Sequence, residues 1–170
     1  PLDPKLVTAA RAEEIRGAVK HHVYTKVPIS ECWNETGNPP IGTKWVDINK
    51  GDASIPDIRC RWVGREFKGS DANRDDLYAA TPPLEAKKAL IVLAASQRGV
   101  KGRDFKKLGI IDIRKAYFHA KVKRPLYVVL PPEALEPGET GVCGKLNYSL
   151  YGTRDAAHNW EDAYTEFMIS

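Results

Sequence analysis

Apolar positions recur every three to four residues at the start of the chain, where Leu6, Val7, Ala10, Ile15 and Val19 follow Asp3-Pro4, a pair suited to an N-cap and first helical position. The spacing predicts an amphipathic helix. Further on, Thr43–Ile48 and Ile58–Phe67 are β-prone runs that partly alternate, with Asn49-Lys50-Gly51-Asp52 and Pro56 as turn material between them. They predict a hairpin in which alternation sets Arg59, Arg61 and Arg65 on one strand face if no bulge intervenes. After Thr81-Pro82-Pro83, the positions Ala86, Ala89, Leu90, Leu93 and Ala94 mark a helix over Leu84–Arg98 that Gly99 can terminate. Lys107–Ile113 reads as a short buried strand with Asp112 at its tip, and Leu126–Leu130 as another that Pro131-Pro132 closes. Val142–Tyr151 reads as extended, and Ala156–Ile169 puts Ala157, Trp160, Tyr164 and Phe167 on one helical face. Mixed helices and hairpins with few βα alternations predict an α+β fold, without internal repeats or a Ser/Gly linker.

Composition narrows the class. The chain has 170 residues, 42% of them apolar, enough for one ordinary core. Its longest apolar run, Ala89–Ala95, is far shorter than the roughly 20 residues that span a bilayer, and no charged-then-apolar leader opens the sequence. No membrane partner and no secretion are expected. Cys32, Cys60 and Cys143 are odd in number and lack Cys-x-x-Cys spacing, which fits a reducing intracellular compartment, cytoplasm or nucleus, better than a disulfide scaffold or structural zinc. His21, His22, His119 and His158 have neither Cys partners nor His-x-x-x-His spacing, and no metal is assigned to them. Pro1 is not an initiator Met, and Glu166–Ser170 breaks off inside a helical pattern, so the chain is expected to be a fragment.

Charge is uneven. The 26 Lys and Arg against 22 Asp and Glu give +4, yet residues 1–80 balance 12 with 12, while residues 81–170 hold 14 bases and 10 acids. Between Arg98 and Arg124 ten bases meet only Asp104 and Asp112, a local +8. Such a stripe attracts polyanions; it is also what a solvated Lys-rich face looks like. Asp112 ends an apolar run among cations, where a carboxylate is costly unless it meets a cation or metal. Two readings stand: an ion pair with Arg114, which a strand would place on the same face, or a hard oxygen ligand for Mg²⁺ beside cations that hold phosphates.

Six strings fall in one order: Thr-Lys-Trp-Val (43–46), Arg-Cys-Arg-Trp-Val (59–63), Tyr-Ala-Ala-Thr-Pro (78–82), Asp-Ile-Arg-Lys-Ala-Tyr-Phe (112–118), Leu-Tyr-Val-Val-Leu-Pro (126–131) and Leu-Tyr-Gly-Thr-Arg-Asp-Ala-Ala-His-Asn-Trp (150–160). In order and spacing they resemble the reverse transcriptase of copia-type retrotransposons over nearly the whole chain. The resemblance implies an N-terminal helix and fingers over about residues 1–105. The first part of a palm, helices on a partial antiparallel sheet, would follow over 106–170.

It also implies roles. Asp112 matches the first catalytic aspartate, a ligand in a site that holds two Mg²⁺ ions, or Mn²⁺ in their place, about 3.5–4 Å apart. Ile113, Arg114, Lys115 and Ala116 would run along the incoming triphosphate, with backbone groups in reach of its oxygens. Tyr117 matches the bulky position that crowds the sugar 2′ carbon and rejects ribonucleotides; a core aromatic is the plainer reading, and the better one for Phe118. Lys44, Arg59, Arg61 and Arg65 lie where basic fingers residues clasp the triphosphate, a task suited to guanidinium forks. Tyr151, Gly152 and Asp155 fall in a template-contact region.

There the sequence departs from the family's usual Gln-Ala-Pro-Arg: Asp155 stands for Gln, Ala157 for Pro and His158 for Arg, and Asp155 would repel phosphate. The family's Tyr-x-Asp-Asp turn is absent; Asp75-Asp76, the one Asp-Asp pair, precedes Asp112 and reads as a loop or helix cap. The expected parent is an RNA-directed DNA polymerase using dNTPs on a primed RNA or DNA template, joined to the rest of a Pol polyprotein. The 170 residues by themselves are expected to be inactive. The alternatives are a non-catalytic nucleic-acid-binding or interaction module and a relic with no partner.

Overall fold

A computed structural model describes residues 2–52, 54–66, 83–96 and 109–170. The chain divides into two compact units, one of Pro1–Tyr78 with Lys115–Ser170, the other of Ala79–Arg114. In the first unit, helix α1 (Pro4–Lys20) starts as predicted: the Asp3 carboxylate accepts the Lys5 N–H at 2.8 Å and Pro4 fills the first turn. Strand β1 (Tyr24–Pro28) and helix α2 (Ile29–Thr36), neither of them predicted, follow, and Gly37 ends α2 in the left-handed region at φ 66°. Strands β2 (Thr43–Asn49) and β3 (Ile58–Gly64) form the predicted antiparallel hairpin, with Trp45 opposite Trp62. Its turn is tied by Asn49 Oδ1, which accepts the Gly51 and Asp57 N–H groups, each at 2.9 Å. Strands β4 (Tyr127–Val128) and β5 (Val142–Leu146) join β1 in an antiparallel sheet of order β1-β5-β4, and helix α4 (Ala156–Ile169) follows. The class is α+β, as the alternation of elements predicts.

The hairpin has two chemically different faces because residues opposite each other in an antiparallel ladder share a side. Trp45, Asp47, Cys60 and Trp62 face α1. Lys44, Val46, Arg59 and Arg61 are exposed on the other side. A polar seam seals α1 to the hairpin: Arg11 Nη2 lies 2.5 Å from Asp47 Oδ2, its guanidinium sits 5.2 Å over the Trp45 ring, and the Trp45 indole N–H donates to Glu133 at 3.2 Å. Arg11 holds the Asp47 carboxyl below the usual range. Burial, then Asp47, pushes the Cys60 thiol up to about 12. Below this seam the core gathers Ile15, Ala18, Val23, Trp62, Phe118, Leu126, Val128, Leu146 and Leu150, with the Tyr24 and Trp62 rings edge to face at 5.5 Å.

Several elements differ from expectation. Residues 109–113 form no strand, and Ile110 and Ile111 are 92% and 77% exposed. The described residues of that unit contain no other strand, so a ladder has no second member there. Lys107, Leu108 and Gly99 lie outside the described residues, as do Asp75-Asp76 and Tyr78–Pro82. Helix α3 (Leu84–Ser96), in the second unit, is present, but its stripe residues Leu90 and Leu93 are exposed. The 126–130 run keeps only two ladder residues, while Val129 N–H donates to Ile41 at 2.9 Å in a separate bridge. β5 ends at Leu146, beyond which the Asn147 and Tyr148 N–H groups both donate to Val23 O, at 2.8 and 3.2 Å, and the one-to-one pairing with β1 is lost. In α4 the buried positions are Ala156 and Asn159, while Tyr164 and Phe167 are exposed. Asn159 reaches Ser149 Oγ at 3.1 Å, so the loop before the helix, not its apolar stripe, sets the buried side.

Candidate nucleic-acid interface

The hairpin's exposed face supplies the first part of the site. Arg59 and Arg61 project from it together, as alternation requires, with Lys44 on the neighbouring strand. Arg65 follows the end of β3, and its backbone N–H donates to Gly42 O at 2.8 Å. Arg59 is bridged to Asp57 at 3.0 Å on an exposed edge, an arrangement worth little in water.

The second part is delivered by the turn at Tyr151-Gly152. Gly64 N–H donates to Tyr151 O at 2.7 Å, which brings the turn against the end of β3. The approach is so close that a Cβ on Gly152 would lie 2.2 Å from Gly64 O and 2.5 Å from Val63 Cγ1, and Gly152 has φ 78°. Only glycine meets both conditions. The turn sets the Tyr151 ring under Arg61, whose guanidinium carbon is 5.4 Å from the ring centroid. Tyr117, in a 3₁₀ turn over Ala116–His119, stands with its ring 5.0 Å from that of Tyr151, and Phe118 lies at 5.8 Å. Phe118 is the buried core aromatic and Tyr117 is half-buried. Burial, and then the negative charge of Glu14, raises the Tyr151 phenol above its ordinary pKa. Arg61, Tyr117 and Tyr151, far apart in sequence, thus share one patch of cation and aromatic faces, the combination that engages phosphates and bases.

Other expected site residues are engaged elsewhere. The Lys115 ammonium is 2.8 Å from Glu14 Oε2, and its backbone is in the left-handed region at φ 53°. Asp155 is buried and hydrogen-bonded by Arg124 Nε, while Arg124 Nη2 bridges to Glu66 at 2.5 Å and Glu66 accepts the Arg154 N–H at 2.8 Å. The repulsion expected of Asp155 toward phosphate is therefore neutralised inside the protein. Lys123 pairs with Asp162 on the exposed surface, so of the described basic stripe it is Lys115 and Arg124 that meet buried acids. Arg98–Lys107 lie outside the described residues. Asp112, Ile113 and Arg114 belong to the second unit; all three are exposed, and Asp112 has no hydrogen bond or ion pair among the described residues.

Sequence reasoning missed Glu14, Arg11 and Arg124. A signal existed for the first two, since Val7, Arg11, Glu14 and Ala18 fall on one helical stripe and charged residues on a core-facing stripe need partners.

Residues 23–170 match the family described as reverse transcriptase (RNA-dependent DNA polymerase). The chain belongs to this reverse transcriptase family. It is 26% identical over 166 residues to the retrovirus-related Pol polyprotein from transposon TNT 1-94 of Nicotiana tabacum, a match covering 95% of the chain and 11% of that polyprotein. The copia-type retrotransposon resemblance is thereby borne out. No solved structure gives a significant match. Reverse transcriptases generally use divalent cations. Among the described residues no three His, Cys, Asp or Glu side chains converge, and Asp112 would offer one carboxylate. These residues do not fit a two-ion site by themselves, and an ion here requires carboxylates from elsewhere. No helix among the described residues is long and apolar enough to cross a membrane.

Proposed function

We propose that this reverse transcriptase sequence forms the part of an intracellular RNA-directed DNA polymerase that receives the incoming dNTP and the primed RNA or DNA template. Lys44, Arg59, Arg61 and Arg65 take phosphate oxygens; the backbone of Ile113–Ala116 lines the triphosphate; Tyr117 crowds the sugar 2′ position. Tyr151 and Gly152 support the template side, with Asp155 anchored behind them. Asp112 is the residue that would hold a divalent cation, whose chemistry when bound is to lower the pKa of a primer hydroxyl and to stabilise the pyrophosphate leaving group. Along the sequence the boundary between fingers and palm falls near residue 105, and the remaining ligands come from elsewhere in a Pol polyprotein. Accordingly, the 170 residues alone do not polymerise.

The observation that carries this reading is the convergence of Arg61, Tyr117 and Tyr151 beside an exposed basic strand, three positions that the family resemblance had singled out separately. The experiment measures binding of the 170-residue chain to a labelled primer–template by anisotropy across a salt series, with Mg²⁺ and dNTP present or absent. Affinity should fall with salt, and Lys44→Ala/Arg59→Ala/Arg61→Ala should flatten the logarithmic salt slope by about 1 for each phosphate no longer neutralised. In the polymerase translated from the complete reading frame, a dNTP- and Mg²⁺-dependent gain that Asp112→Asn removes supports the polymerase reading. Salt-sensitive binding by that protein without the gain assigns the sequence to a non-catalytic binding module instead. Primer extension by the purified chain would overturn its inactivity.

A further inference from the structure

We propose that Glu14 and Gly17 of α1 form a seat for Lys115 that positions Tyr117, and that the seat thereby sets discrimination between deoxyribo- and ribonucleotides. The inference rests on the reading of Tyr117 as the residue beside the sugar. Glu14 and Gly17 lie one helical turn apart on α1, toward Lys115. Glu14 is buried, with its side chain 8% exposed. Oε2 takes the Lys115 ammonium at 2.8 Å, and the buried Oε1 has no hydrogen-bond partner. A half-satisfied buried carboxylate is a poor way to stabilise a helix, and what Glu14 supplies here is a fixed position for the ammonium.

Gly17 supplies the space. A Cβ there would lie 2.0 Å from Lys115 Nζ and 3.1 Å from Cε, so the ammonium occupies the space that any other side chain would take, and beside such a residue its flexible tip would have to swing off Glu14. Lys115 itself has φ 53° and ψ 43°, a left-handed conformation that a side-chain-bearing residue keeps only when its surroundings hold it. From that backbone the 3₁₀ turn begins: Lys115 O accepts the Phe118 N–H at 2.8 Å, and Tyr117 O accepts that of Ala120 at 3.1 Å. The ammonium also lies 5.4 Å from the ring centroid of buried Phe118. One end of the Tyr117 turn is therefore fixed by α1, and the Tyr117 ring is fixed by Tyr151. Helix α1 precedes residue 23, where the family match begins, so the seat comes from outside the matched segment.

The test uses Glu14→Gln and Gly17→Ala. The second leaves every charge in place and exchanges Gly for a better helix former, yet its methyl group occupies the space of the Lys115 ammonium. In the 170-residue chain, exchange of the Phe118 and Ala120 amides should speed up on the order of tenfold in both variants, with the β5 amides unchanged. In the polymerase translated from the complete reading frame, the ratio of ribonucleotide to deoxyribonucleotide incorporation should rise on the order of tenfold in both, and at least as far in Tyr117→Ala. A Gly17→Ala protein with undiminished melting temperature but a raised ratio separates positioning from stability. Unchanged exchange and unchanged ratio in Gly17→Ala overturn the seat. If Tyr117→Ala leaves the ratio unchanged, the sugar-facing reading of Tyr117 fails, and the role of the seat in discrimination is refuted with it, whatever the exchange rates show.

Discussion

Replacing Gly152 with Ala should destabilise the first unit by about 2–5 kcal/mol. The figure has two parts. Alanine at φ 78° pays the left-handed penalty of a side-chain-bearing residue, about 1–2 kcal/mol. The new methyl group would also meet Gly64 O at 2.2 Å and Val63 Cγ1 at 2.5 Å. A backbone carbonyl cannot swing aside as a lysine tip can, and overpacking of this kind costs about 1–3 kcal/mol. Gly37 separates the two: its φ is 66°, with nothing within 4 Å of a built Cβ, so Gly37→Ala reports the backbone part alone. Urea unfolding of the two variants and the parent gives both numbers. Since a domain has about 5–15 kcal/mol in total, the Gly152 loss is a large share and should lower the melting temperature by roughly 5–20 °C. Moreover, the turn carries Tyr151, so Gly152→Ala should weaken primer–template binding where Gly37→Ala does not. If Gly152→Ala costs no more than Gly37→Ala, the close docking of the turn on β3 is wrong.

Arg124→Met removes the guanidinium shared by Glu66 and Asp155, whose side chains are 13% and 8% exposed, and should cost about 3–5 kcal/mol by urea unfolding; a loss under about 1 kcal/mol would refute a structural role for this network. The Asp47 carboxyl, held low by Arg11, contributes stability that is fully present above the ordinary carboxylate pKa and is lost as pH falls through its depressed value. Below about pH 4 the parent should therefore lose stability faster than Asp47→Asn, and parallel acid limbs in urea titrations would contradict the ion pair.

The local chemistry of the sequence was sufficient for the elements whose signals lie within a few residues. Asp3-Pro4 starts α1, the alternation around Trp45 and Trp62 makes the hairpin, and Arg59 and Arg61 emerge on one face because a strand repeats every two residues. Family motifs singled out Arg61, Tyr117, Tyr151 and Gly152 before any of them had a neighbour. Local pattern failed where an element depends on a partner supplied from afar. Residues 109–113 are apolar enough for a strand but have no described ladder to join, and Tyr164 and Phe167 of the α4 stripe stay exposed while Asn159, bonded to Ser149, is buried. Only the tertiary structure decided the destinations of the charges. Lys115 meets Glu14 across 101 positions and Arg124 meets Glu66 across 58, since an ion pair is chosen by which groups lose water together, and desolvation is a property of the packed chain.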